Sequence, residues 1–174
     1  MTTLISFLGK GQGTGHYNLA RYRFEDGVVD AQPYFAIALA RRLRPATMLL
    51  VGTAGSAWDI FFEREAAADD EARLRLLDAL EQGEGEAALM AALADPLAAR
   101  LGARVQCLLI DEARDEPAQA RLLHTLAAKL APGERVVLDV THSFRHLPML
   151  ALVAARYLEK IRRVTVEDIY YGAL

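Results

Sequence analysis

Four uncharged, largely apolar runs restrict the fold more than any other feature of this sequence. Thr3 to Leu8, Thr47 to Val51, Val105 to Ile110 and Val136 to Leu138 contain no charged residue. A strand with one wet face alternates apolar and polar residues, so runs of this kind belong to strands covered on both sides. Between the runs, apolar residues recur at three- and four-residue spacing. Examples are Leu122, Leu123, Leu126 and Leu130, and then Leu147, Leu150, Val153, Ala154, Tyr157, Leu158 and Ile161. Strands alternating with helices predict an α/β chain, with a mostly parallel sheet and helices on both faces. A last strand is expected over Val164 to Tyr171.

The departures from simple alternation carry their own signals. After the first run come Tyr17 and Tyr22, an Asp26-Gly27 turn and Val28-Val29, which predict a β-hairpin after strand 1. Pro33 is expected to start a helix with Tyr34, Ile37, Ala38 and Leu43 on one side. Ser56 and Asp59 have capping-box spacing and predict a helix from Ala57. Ala66 to Arg100 reads as two or three helices, broken at Gln82 to Gly85 and at Asp95-Pro96, with a solvated charged face. No repeat or linker divides the 174 residues, so one domain spanning 1–174 is expected.

Composition narrows the partners. A net charge of −3 argues against long nucleic acid but leaves room for a small anion held by local basic groups. No apolar run approaches the roughly 20 residues that span a bilayer, so no membrane partner is expected. The N-terminus lacks a basic start and a cleavage site, and its apolar run reads as a strand. Cys107, the single cysteine, lies within Val105 to Ile110 and is expected to be a buried thiol. Both features suit the cytoplasm.

Three strand exits collect the residues with chemistry. The first is Gly9-Lys10-Gly11-Gln12-Gly13-Thr14-Gly15, and the second is Gly52-Thr53-Ala54-Gly55-Ser56-Ala57-Trp58. The third runs from Asp139 to His146 and holds Thr141, His142, Ser143 and Arg145. In parallel α/β sheets ligands bind at the carboxyl ends of strands. Pro148 fits the first turn of the helix that follows, and the segment ahead of it is expected to stay non-helical. Free N–H groups, glycines that allow close approach, and the cations Lys10 and Arg145 together favour an anion, phosphate above all. The first loop departs from a dinucleotide fingerprint, because Thr14 stands at its last glycine and a hairpin follows. It departs from a Walker loop because Gly11 follows Lys10. His142 and His146 lack the partners of a metal site, so neither metal nor cofactor is expected. Asp139 is expected to satisfy loop N–H groups. Trp58 suits either stacking on a base or packing in the core.

Asp139-Val140-Thr141-His142-Ser143-Phe144-Arg145 resembles the Asp-x-Thr-His-Gly motif of CRISPR-associated proteins, with Ser143 where the motif has glycine; Leu147-Pro148 extends it. Leu8-Gly9-Lys10-Gly11, Gly52 to Asp59 and the ending Tyr170-Tyr171-Gly172-Ala173 are similar to the same family. That family is the CARF sensor domain of type III CRISPR ancillary proteins. The resemblance implies a Rossmann-like homodimer that binds a cyclic oligoadenylate across its two-fold axis. Cyclic tetra-adenylate is the commonest ligand and cyclic hexa-adenylate the main rival. It also implies an effector, often a nuclease, beyond the sensor or on a partner. The expected ligand-binding set is Gly9, Lys10, Gly11, Gln12, Thr14, Thr53, Gly55, Ser56, Trp58, Thr141, His142, Ser143, Phe144 and Arg145. An alternative is a metal-independent ring nuclease, in which a ribose 2′-OH attacks the adjacent phosphate and Lys10, His142, Ser143 and Arg145 assist.

Overall fold

The computed structural model describes residues 1–10, 19–58, 61, 70–83, 93–142 and 147–171. Each apolar run forms a strand: β1 (Thr2–Leu8), β4 (Thr47–Gly52), β5 (Arg104–Leu109) and β6 (Arg135–His142), with β7 (Thr165–Tyr170) last. They make one sheet in the order β5-β4-β1-β6-β7, with every neighbouring pair parallel. The expected hairpin is β2 (Ala20–Arg23) paired antiparallel with β3 (Val29–Gln32) in a separate two-stranded sheet. At its turn Gly27 has φ 79°, a left-handed value that costs glycine least.

The described helices are α1 (Phe35–Leu43), α2 (Asp70–Glu81), α3 (Asp95–Leu101), α4 (Glu116–Lys129) and α5 (Leu147–Arg162). Successive residues of a strand point to opposite faces, so each run feeds two cores. Leu4, Leu8, Met48, Leu50, Val105, Cys107 and Val137 pack with α1, Trp58, Phe61, Leu76 and Leu97. Ile5, Phe7, Leu49, Val51, Leu108, Val136, Leu138 and Val140 pack with Leu122 and Leu126 of α4 and Leu158 of α5. Cys107 is buried in the first core, and burial pushes its thiol up to about 12, far from any reactive thiolate.

Four local expectations need correction. β6 does not end at Asp139 but runs to His142, because Asp139 turns into one core and Val140 into the other while β1 still pairs alongside. Tyr34, with an extended backbone, precedes α1 instead of forming part of it. Asp95-Pro96 is no break: Leu93 and Ala94 are already helical, and Pro96 sits in the first turn of α3, where its missing N–H is harmless. On α5, Ala154, Ala155 and Leu158 are buried, whereas Val153 and Ile161 stay exposed. The break near Gln82-Gly83 does follow α2, while Asp59 of the capping box and residues 84–92 lie outside the described residues.

Candidate functional site

Because the five strands are parallel, their carboxyl ends share one edge. Leu8 at the end of β1 is level with Gly52 of β4 on one side and His142 of β6 on the other. The chain leaves β1 toward β4 but reaches β6 by crossing back from β5, so strand order reverses between β1 and β6. Parallel α/β sheets open a crevice at such a reversal. Lys10, Thr53 and His142, from distant parts of the sequence, therefore meet on the same rim.

The β4 exit is a closed, cross-braced turn. Ser56 Oγ donates to the Leu8 carbonyl at 2.6 Å and accepts the Thr53 N–H at 2.9 Å. The Ala57 N–H donates to the Gly9 carbonyl at 3.0 Å, which ties the β1 and β4 exits together. Trp58 is fully buried and its Nε1–H donates to the Thr53 carbonyl at 2.8 Å. Of the two roles open to this indole, packing is the one it fills. Gly52 must be glycine, since a Cβ there would lie 2.7 Å from the Trp58 ring and 2.9 Å from Ser56 Oγ. The Phe61 N–H bonds the Ala57 carbonyl at 3.0 Å, a helical turn where Ser56 predicted one. The Ser56 hydroxyl itself faces β1 and Thr53. Gly55 alone of the predicted residues here is exposed, and the stem of Lys10 lies across it.

The end of β6 is organised around a buried carboxylate. Asp139 is 0 % exposed; Oδ2 accepts from Ser6 Oγ at 2.7 Å and Oδ1 accepts the Thr141 N–H at 3.0 Å. The second bond is the loop-satisfying role expected of it. Burial raises its pKa, against the lowering pull of these hydrogen bonds and of nearby His142. Tyr22 of the hairpin reaches the same core with its hydroxyl buried and, among the described residues, unbonded. Burial and then the charge of Asp139 push that phenol's pKa up.

Thr141 and His142 are half-buried. His142 Nε2 accepts the Phe35 N–H at 3.4 Å, at the first turn of α1, and its ring meets Tyr34 edge-on at 6.0 Å. A nitrogen that accepts carries no proton, so this geometry has the neutral imidazole protonated on Nδ1. Burial lowers the His142 pKa, outweighing the opposite pull of Asp139. The positive end of the α1 dipole disfavours the cation further.

Lys10, Gly55, Thr141 and His142 thus combine exposure with a common rim, whereas Thr53, Ser56 and Trp58 are buried beneath it. Gly9 lies at the β1 exit. Gly11, Gln12, Thr14, Ser143, Phe144 and Arg145 lie outside the described residues. Among the described residues no group of three His, Cys, Asp or Glu could hold a metal ion, and no helix is long and apolar enough to cross a membrane. Two contributors escaped the sequence reading. Ser6 was visible only as a hydroxyl in an otherwise apolar run. Glu112, just past β5, pairs with Lys10 at 3.8 Å, a contact between two strand exits that no local pattern displays.

Comparison with known proteins assigns the chain to a family. The family described as "CRISPR system endoribonuclease Csx1, CARF domain" has a sequence model that matches residues 3–174. The chain is similar to CRISPR-associated protein MJ1674 of Methanocaldococcus jannaschii, with 25 % identity over 200 residues. The match covers 100 % of this chain and 31 % of that relative, so the chain spans about a third of its length.

Proposed function

From the premise that this chain belongs to the CARF domain family of the CRISPR endoribonuclease Csx1, a ligand-sensing family, we propose that it senses cyclic oligoadenylate, with cyclic tetra-adenylate as the preferred ring. The observation that carries this reading is the common rim: Leu8 is level with both Gly52 and His142, so the exits of β1, β4 and β6 open on one edge of the sheet. Lys10 supplies a cation, and Gly55 allows a phosphate close to backbone N–H groups. Thr141 and the neutral His142 supply hydrogen bonds that read sugar or base. The family resemblance implies that Ser143 and Arg145 also contribute.

A ring of repeated nucleotides suits two identical protomers about a two-fold axis. Val153, half-buried Tyr157 and Ile161 recur every four residues on α5, the helix that follows the β6 loop. Their exposed apolar stripe supports a dimer formed beside the ligand. Residues 1–174 are then the sensing unit, and an effector on the same polypeptide or a partner reads out the bound ring.

Isothermal titration with cyclic tetra-adenylate and cyclic hexa-adenylate tests the proposal. Saturable heat at one ring per two chains is expected, stronger for the tetra-adenylate; no heat with either ring would refute it. Incubating the same mixture in a chelator and resolving the products shows whether the ring is also cut, the outcome that a ring nuclease requires.

A further inference from the structure

Lys10 does not reach toward His142. It leaves β1, lays its stem across the β4 exit with Cε 3.5 Å from the point where a Cβ on Gly55 would lie, and brings Nζ within 3.8 Å of Glu112 Oε1 past β5. With the strands ordered β5-β4-β1-β6, that direction leads away from Thr141 and His142. Glu112 is held in place from both sides. Asp111 accepts from Arg121 Nε at 3.0 Å and Nη2 at 2.7 Å. Ala113 is buried in a left-handed backbone conformation, φ 50°, and its carbonyl accepts from Gln119 Nε2 at 3.3 Å. The second Glu112 oxygen pairs with Arg114. Lys10 is exposed and Glu112 half-buried, so the pair lies at the surface and not in a packed core.

We propose that Glu112 is a built-in competitor for the ligand's phosphate. It holds Lys10 on the β5 side of the rim, and a ligand must displace it to draw the ammonium toward β6. This inference rests on the sensor reading above and adds a determinant of affinity to it. The competitor lowers affinity by the same factor for every anion that must displace it, a factor set by how strongly it holds Lys10. Glu112 thereby sets how tightly any anion can use Lys10 at this site.

Titration of cyclic tetra-adenylate and of AMP into the wild type, Glu112→Gln, Lys10→Ala and the double variant tests it. Removing the carboxylate partner of an exposed pair should tighten the ring's Kd about twofold. AMP should gain by no more than the ring does, and both gains should vanish in the Lys10→Ala background. A gain that persists without Lys10 would assign the effect to the released Arg114 and overturn the proposal. If the wild type binds the ring and Glu112→Gln binds no better, the competitor is refuted while the sensor reading stands. If no variant binds the ring, both fall.

Discussion

The exits of β4 and β6 are level on one rim and use similar residue types, yet they differ in what their polar groups do. At β4, Thr53 and Ser56 are buried and their hydrogen bonds close on the turn itself, on Leu8 and on Trp58. At β6, Thr141 and His142 stand half-open above a buried carboxylate whose pKa is displaced. A polar group whose partners are all internal is scaffold. One that is half-exposed at the rim can meet a ligand. The difference lies in exposure, not in residue type: threonine belongs to a buried brace at one exit and stands half-open at the next.

The contrast breaks first at Trp58. Trp58→Ala empties the space under the β4 turn and removes one of the two hydrogen bonds to the Thr53 carbonyl, and should cost about 3–5 kcal/mol in urea unfolding. A loss below about 1 kcal/mol would mean that the turn stands without its indole. Gly52→Ala comes next, at about 1–3 kcal/mol, because the new methyl meets the Trp58 ring and Ser56 with little room to yield. Neutral stability in that variant would show the turn to be looser than its contacts imply.

At the β6 exit the test is pH. Folded His142 stays neutral below its ordinary 6.5, where the unfolded chain takes up a proton. As pH falls from 6.5 toward the depressed folded value, the unfolded state binds more protons and the contribution of His142 to stability is lost. Asp139 has the opposite sign. Its folded carboxyl keeps its proton above 3.8, so stability is lost as pH rises from 3.8 through its raised value. His142→Gln removes only the first dependence. Its urea midpoint should lose less than the wild type's as pH drops below 6.5. Parallel midpoints for the two proteins across that window would contradict a buried neutral imidazole.

The smallest effect on folding belongs to Lys10. Lys10→Ala should change stability by less than about 0.5 kcal/mol, since its ion pair is exposed and such pairs contribute little. Affinity for cyclic tetra-adenylate should fall by about 1.5–3 kcal/mol, roughly ten- to hundredfold. The reverse pattern, lost stability with intact affinity, would move Lys10 into the scaffold with Ser56 and Trp58.

The site was only partly legible in advance. Exposure of Lys10, the rim shared by Thr53 and His142, and the bond from the Thr141 N–H to Asp139 match what their loops suggested. The stacking reading of Trp58 does not match its full burial, because a local sequence states that an indole is present without stating what stands over it. The Ser6 bond to Asp139 spans 133 positions, and no window of the chain displays both partners.

What the chain determines by itself is local in origin. Uncharged runs must be covered on both faces, helical spacing must supply the covers, and Asp26-Gly27 must turn, so the α/β class and the hairpin follow from patterns a few residues long. What tertiary structure alone decided depends on neighbours distant in sequence. The length of β6 past Asp139, the burial of Ser56 and Trp58, and the swing of Lys10 toward Glu112 all depend on which strand lies alongside. Strand order is settled by the whole set of packed faces, whose free energies of burial no single segment encodes.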